Sequence, residues 1–343
     1  MNVGAARAIE FSASREVDVV DVDPPAPDRG EVLVETTVSA VSAGTELLAY
    51  RGDLDPETAA DEALEALSGD LSYPLRYGYS VVGTVAAVGD GVDPSWRGET
   101  VFGFNPHEGR FLASTEELQP VPDGIGPETA ALFANTETAV NFALDGAPRI
   151  GERIAVFGQG VVGLLTTALL SRSPAADVVA VEPRPDRRAL ADALGADATV
   201  DPSAVDASEA LRDRTGGVDL AVEVSGRPET LETAVEATRF GGRVLVGSWY
   251  GTKRAEIGFG DHFHRGRVAV ESSQVSTIAP ELRGRWDADR RRETAWRELR
   301  RLQVEDRIAD RLVTDRFDVE DAPAAYRRLA DDAEPTVQVL FTY

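Results

Sequence analysis

Residues 154–170 read IAVFGQGVVGLLTTALL. An apolar run of strand character leads into three glycines and then into an apolar stretch of helical length. Gly158, Gly160 and Gly163 fall in the spacing G-x-G-x-x-G. Between a strand and a helix, that spacing has a physical purpose. Gly158 permits the tight turn, Gly160 lets the main chain approach a pyrophosphate, and Gly163 lets helix and strand pack closely. The helix N-terminus then faces the anion. A glycine-rich turn in a non-binding α/β domain is the other reading; the strand–turn–helix context favours dinucleotide binding. Glu182 lies 19 residues beyond Gly163, at the end of the next apolar run. A carboxylate there accepts hydrogen bonds from ribose hydroxyls and repels a 2′-phosphate, so NAD(H) is the preferred cofactor. Arg184, Arg187 and Arg188 follow at once. They are either a solvated helix start or a means of tolerating NADP(H), which stays open as the alternative.

Working outward, strands and helices alternate. DVVAVE reads as strand, PDRRALADALG as helix, VDLAVEVSG as strand, PETLETAVEATRFGG as a helix ending in paired glycine, and RVLVGS as strand. Apolar strands between helices indicate a doubly wound parallel sheet. PETAALFANTETAVNFAL, ahead of the loop, reads as one helix. Residues 1–126 have another texture: EVDVVDV, EVLVETTVSAV, SVVGTVAAV and RFLAS are short β-rich pieces between Pro/Gly/Asp turns, as in an antiparallel, partly closed barrel. The acidic insertion DLDPETAADEALEALSGD looks helical, with Ala63, Leu64 and Leu67 on one side and Gly69 as its stop. The expected domains are 1–126, 127–275, and 276–343 returning to the first.

Charge narrows the function classes. The 343 residues hold 35 Lys and Arg against 59 Asp and Glu, a net charge of −24. Lys253 is the only lysine. Such a surface repels nucleic acid and anionic membranes, and its self-repulsion is screened by salt, as suits a salt-adapted, halophilic cytosol. No apolar run approaches the roughly 20 residues that span a bilayer. The first residues show no charged segment followed by an apolar one, so a cytoplasmic location is expected. Cysteine is absent, which removes disulfides and thiolate metal sites; His107, His262 and His264 are the only imidazoles.

The chain resembles the medium-chain dehydrogenase/reductases of the zinc-type alcohol dehydrogenase kind. EVLVETTVSAVSAGTE, VVGTVAAVGDGV, the glycine loop, LGADATVD, VDLAVEVSGRPETLETAVEATRFGGRVLVG and DAPAAYRRL carry the resemblance over nearly the whole length. SAGTELLAYRG, YPLRYGYSVVG and HFHRGRVAVESSQVS resemble the subgroup related to bacteriochlorophyllide dehydrogenase. The resemblance implies an α/β protein: a GroES-like β-barrel catalytic domain, then a Rossmann sheet. It implies hydride transfer between nicotinamide and an alcohol/carbonyl substrate, and a homodimer or homotetramer. The expected cofactor contacts are Gly158, Gly160, Val161, Val162, Gly163, Glu182, Arg187, Ser225 and Gly247.

The departures from the family are as informative. Zinc-dependent members place a Cys, a His-Glu pair and a further ligand where this chain has Ser42, then Tyr79 and Ser80, then about Asn135. The expectation is therefore no zinc and no other metal. Hydrogen-bond donors aimed at the substrate oxygen can replace part of a metal's action. Tyr79, Ser42 and Thr45 are the expected catalytic donors; for Tyr79 the alternative is a ring that fills apolar space. Asn135, His262 and His264 are weaker substrate-site candidates. Glu137 is expected either to face the cleft or to cap or pair locally, and the arginines of 283–301 to pair along a helix surface, an anionic substrate or subunit contact being the alternative. Two other functions remain beside the alcohol/carbonyl reading. One is NADPH-dependent reduction of conjugated C=C bonds; the other is a non-catalytic nucleotide-binding sensor.

Overall fold

The computed structural model describes residues 6–60, 64–331 and 335–343. Strands β1 (Ala6–Ala13) and β2 (Glu16–Val22) pair antiparallel around Arg15, whose φ is +64°. In β3 (Glu31–Ala40) alternate residues Val32, Val34, Thr36 and Val38 are buried, the period of a strand with one face on the core. Helix α1 (Ala43–Arg51) follows, closed by Gly52 in the left-handed region. Then come β4 (Val81–Val88), β5 (Thr100–Gly103), β6 (Arg110–Ser114), β7 (Leu118–Pro120) and the short α2 (Pro127–Ala130).

The acidic insertion is not the expected helix. Its described part holds one 3-10 turn, Glu65–Leu67, and Ala63 lies outside the described residues. Main-chain pairing competes with the helix: Ala60 N–H donates to Gly69 C=O at 3.0 Å and Leu71 N–H to Thr58 C=O at 3.1 Å. The two ends zip together, and Leu67 and Leu71 turn into the core.

The helix expected from residue 127 is two helices, α2 and α3 (Phe133–Gly146), with Leu132 buried at the break. The alternating region follows: β8 (Arg153–Phe157), α4 (Val161–Leu170), β9 (Asp177–Val181), α5 (Pro185–Ala193), β10 (Ala198–Val200), α6 (Ala207–Thr215), β11 (Val218–Glu223), α7 (Thr230–Ala237), β12 (Thr238–Val246) and β13 (Ala269–Ser272). The six strands form a parallel sheet in the order β10-β9-β8-β11-β12-β13. Ile154 to Phe157 in β8 are all buried, the mark of a strand covered on both faces. The order reverses at β8, so the crevice beyond its carboxyl end is where ligands bind in such sheets. Gly241 and Gly242 do not end a helix. They lie inside β12, where a Cβ on Gly242 would come within 2.9 Å of Thr238.

Helix α8 (Ala288–Asp306) corrects the third expected boundary. The chain divides into one unit of residues up to Ala134 with Arg307–Tyr343 and another of Asn135–Asp306. Thus the return begins at Arg307, not 276. The reason is a buried tie: Arg291 Nε donates to Glu137 Oε1 at 3.0 Å and its Nη1 to Asn141 Oδ1 at 2.9 Å. These bonds anchor α8 to α3. Burial pushes the Glu137 carboxyl upward against the pull of Arg291. Arg292 also reaches Glu137, at 3.7 Å, whereas Arg297 and Arg301 pair locally, Arg301 with Glu305 at 3.1 Å.

The first unit is completed by α9 (Ile308–Leu312), β14 (Val313–Asp318), α10 (Ala322–Asp331) and β15 (Gln338–Thr342). Its large sheet runs β14-β15-β3-β4-β5-β7, with β6 also on β3. Tyr326 of α10 sits at the centre of an aromatic cluster, 5.0 Å from Phe11 and 5.8 Å from Tyr50 between ring centroids. No helix among the described residues is long and apolar enough to cross a membrane.

Candidate functional site

In the parallel-sheet unit the glycine loop follows β8. Gly158 has φ +92°, and a Cβ there would lie 2.6 Å from Ser225 Cα. A Cβ on Gly163 would lie 2.0 Å from Gly158 O, so α4 can approach the loop only without a side chain. Gly160, the N-cap of α4, faces open space, and no side chain caps that helix. The first-turn N–H groups of α4, led by Val161 and Val162, therefore lack a side-chain acceptor at the cap. An anion fits there: open main chain, a positive helix end and no competing side chain.

Two buried carboxylates stand at the carboxyl ends of β9 and β11, the strands that flank β8, and Glu182 of the pair braces the glycine loop. Glu182 Oε2 accepts from Gln159 N–H at 2.7 Å and Oε1 from Arg184 N–H at 3.0 Å. Each oxygen has a second acceptor direction, so bracing leaves room for ribose hydroxyls. Of the arginines behind it, Arg188 pairs with Asp201 at 3.0 Å and Arg184 with Asp186 at 3.4 Å; Arg187 is half-buried. Glu223, the second carboxylate, was not expected. Its Oε1 accepts from Ser225 N–H at 2.8 Å and its Oε2 from the Tyr250 hydroxyl at 2.5 Å. Burial first, and the Glu223 charge second, push the Tyr250 phenol upward. An acidic residue ending the apolar strand VDLAVE was the available signal. Gly247 is set by packing, since a Cβ there would lie 2.2 Å from the Phe142 ring.

The weaker candidates do not converge. Asn135 is buried on α3. His262 Nε2 lies 2.8 Å from Thr238 O, a main-chain tie, and His264 is exposed.

In the other unit the expected hydroxyls do come together. Ser42 is the N-cap of α1, Thr45 lies in its first turn, and Tyr79 precedes β4. The Tyr79 hydroxyl is hydrogen-bonded to Ser42 Oγ and lies 3.3 Å from Thr45 Oγ1. Ser42 is buried, whereas Thr45 and Tyr79 are half-buried, so the cluster reaches the surface. Ser80 is spent elsewhere: its hydroxyl donates to Ala131 C=O at 2.7 Å. Behind the cluster stand two fully buried groups that the sequence did not single out. Glu46 Oε1 accepts from Ser42 N–H at 2.6 Å, and Glu46 Oε2 lies 3.0 Å from His107 Nε2.

Zinc takes thiolate, imidazole and carboxylate ligands, four at a structural site and three at a catalytic one that keeps a position for water or substrate. The cluster instead offers three hydroxyls, the chain has no cysteine, and Glu46 and His107 bind each other. No group of three or more His, Cys, Asp or Glu that could hold a metal exists among the described residues. The donor set does not fit zinc.

The family model described as zinc-binding dehydrogenase matches residues 161–288. The (R,R)-butanediol dehydrogenase of Bacillus subtilis is 29% identical over 79% of this chain and 84% of that protein. The L-threonine 3-dehydrogenase of Pyrococcus abyssi is 30% identical over 68% of this chain and 73% of that protein. Among solved structures, 2R,3R-butanediol dehydrogenase from Bacillus subtilis aligns with TM-score 0.80 at 23% identity, covering 99% of this chain and 100% of the other. A putative zinc-binding dehydrogenase from Sinorhizobium meliloti 1021, bound to NADP, aligns with TM-score 0.77 at 21% identity and the same coverage. A short chain alcohol dehydrogenase from Escherichia coli CFT073, complexed with NADH, gives TM-score 0.79 at 17% identity, again over 99% and 100%.

Proposed function

This chain belongs to the medium-chain dehydrogenase/reductase superfamily and is an NAD(P)-dependent oxidoreductase, and we propose from that premise that it moves hydride between NAD(H) and an alcohol/carbonyl pair without catalytic zinc. The observation that carries the reading is the hydroxyl cluster of Ser42, Thr45 and Tyr79 in a chain without cysteine. The setting is a salt-adapted cytoplasm, in keeping with the charge of −24.

Nicotinamide, when bound, supplies the hydride acceptor or donor. The residues Gly158, Gly160 and Gly163 and the N-terminus of α4 bind the pyrophosphate, and Glu182 takes the ribose hydroxyls. At the substrate oxygen the Tyr79 hydroxyl donates a hydrogen bond as negative charge develops during carbonyl reduction. Ser42 and Thr45, bonded to that hydroxyl, orient it; once Tyr79 has passed its proton to the alkoxide, they relay a replacement proton from water to the tyrosinate. In the reverse direction the Tyr79 tyrosinate accepts the alcohol proton, and the same hydroxyls pass it on to water.

NAD(H) preference follows from Glu182, because a 2′-phosphate would meet its carboxylate while Arg184 and Arg188 are held by Asp186 and Asp201. Loss of a charged hydrogen-bonding group costs roughly 1.5–3 kcal/mol, so Glu182→Ala should weaken NADH about 10- to 100-fold by fluorescence titration. NADPH should be affected less. A wild-type protein that binds NADPH more tightly would refute the assignment of Glu182 to the ribose.

Fluorescence titration with NADH and NADPH, followed by a panel of secondary alcohols and their carbonyls, tests the activity. Turnover of one such pair with NADH supports the proposal. Tight NADH binding with no turnover of any pair would favour a nucleotide sensor, and turnover only of conjugated C=C substrates with NADPH would favour the reductase.

A further inference from the structure

We propose that His107, held as the neutral Nε2–H tautomer between Glu46 and Ser39, is the positioning residue that sets Tyr79 against Ser42 and Thr45. The proposal rests on the reading above only in taking those hydroxyls as the site. The hydroxyls come from two segments far apart in sequence, and no direct covalent feature fixes their register. His107 touches both segments, and its side chain is completely buried.

On the side of α1, His107 Nε2 lies 3.0 Å from Glu46 Oε2. The other Glu46 oxygen accepts from the Ser42 N–H, so the imidazole governs the peptide that carries Ser42. On the side of Tyr79, His107 N–H donates to Tyr77 C=O at 3.3 Å. The ring also lies directly under Gly78. A Cβ on Gly78 would stand 2.6 Å from both Cδ2 and Nε2, and Gly78 has φ +107°. The residue before Tyr79 is therefore glycine in a left-handed conformation, pressed onto the imidazole. A third side is closed by β3 and the last residue of the chain. Nδ1 lies 2.7 Å from Ser39 Oγ, which lies 3.0 Å from the Tyr343 hydroxyl.

The tautomer follows from the partners. Glu46 also accepts from the Tyr326 hydroxyl. A carboxylate that already receives the Ser42 N–H and the Tyr326 O–H is an acceptor, so Nε2 carries the hydrogen. Burial, the larger cause, holds the Tyr343 phenol protonated against the opposing pull of its Ser39 hydrogen bond, and either hydroxyl of that pair can donate; we take Tyr343 as the donor. The Ser39 hydroxyl is then free to donate to Nδ1. Every group in the chain from Tyr343 to Ser42 is satisfied in this arrangement, as a largely buried network requires. A neutral imidazole in fixed orientation is a rigid spacer; rotating it would break the bond to Glu46 or the bond to Ser39.

The test uses the full chain labelled with ¹⁵N-histidine and ¹³Cζ-tyrosine. Side-chain ¹⁵N spectra report the tautomer, with His107 assigned by loss of its signals in His107→Gln. The Tyr79 resonance is assigned by Tyr79→Phe. The expected result is an Nε2–H tautomer in the wild type and a displaced Tyr79 resonance in His107→Ala. His107→Gln, which keeps an amide donor toward Glu46, should restore most of that displacement. NADH affinity should stay within about twofold, because the glycine loop belongs to the other unit. Ser39→Ala, a small change, should shift the His107 tautomer population and the Tyr79 resonance together, which keeps the test intact should His107→Ala not fold. An Nδ1–H tautomer in the wild type, or an unmoved Tyr79 resonance in folded His107→Ala or Ser39→Ala, would overturn the proposal and make His107 a core filler. None of these readouts needs turnover. A displaced Tyr79 resonance in a protein that turns over no substrate would sustain the positioning role while the proposed activity fails.

Discussion

Tyr79→Phe should lower turnover by about 10²–10³ while NADH affinity stays put. The substitution keeps the ring, which packs with the buried cluster of the first unit and meets Tyr77 edge-on at 6.5 Å. It removes only the hydroxyl bonded to Ser42 and near Thr45. A donor directed at an oxygen that gains charge contributes about 3–4 kcal/mol to the transition state, which sets the size of the effect. The rate and the Michaelis constant separate the possible roles. A fall in kcat with KM unchanged marks an interaction made in the transition state. Turnover equal to wild type would leave Tyr79 as a space-filling ring and move the donor role to Ser42 or Thr45.

Gly160→Ala should abolish most NADH binding, about 100-fold or roughly 2.7 kcal/mol, in a protein that melts where the wild type does. The contrast with Gly163 makes this informative. A methyl group on Gly160 meets nothing within 4 Å, and φ at that residue is −71°, so alanine fits the folded chain. The methyl would fill the space that a pyrophosphate needs. At Gly163 the same methyl would overlap Gly158 O at 2.0 Å, so Gly163→Ala must shift α4 and should lower the melting temperature as well as NADH affinity. Loss of affinity without loss of stability in Gly160→Ala, measured by titration and thermal melting, isolates binding from folding. Retained affinity would mean that the nucleotide does not approach the main chain there.

The parallel-sheet unit was the most legible part of the sequence. Apolar strands, a glycine spacing and helical periodicity are all local signals, and β8, β9 and β11 lie where those signals put them. Local signals misled where another chain segment decided the outcome. The acidic insertion has helix-forming composition, yet its ends pair through Ala60 and Gly69 and through Thr58 and Leu71. Gly241 and Gly242 look like a helix stop but lie within β12. The third boundary failed because Arg291 is bound to Glu137, a partner 154 residues away. In the proposed site, Tyr79, Ser42 and Thr45 were candidates through the family resemblance rather than through spacing. Glu46 and His107, 61 residues apart, have no sequence pattern that announces their contact. Glu223 and Tyr250 escaped for the same reason, since a strand-end carboxylate shows its purpose only when the loop it braces is in place.

The central claim is hydride transfer without zinc, and chelation tests it most directly. The metal content of protein purified without chelator is determined by elemental analysis, and NADH-dependent turnover of the carbonyl found in the substrate panel is measured before and after dialysis against a strong chelator. The expected result is no stoichiometric zinc, with turnover unchanged by chelation and not raised by added zinc. One tightly held zinc per chain, with activity lost on its removal and regained on its return, would contradict the account.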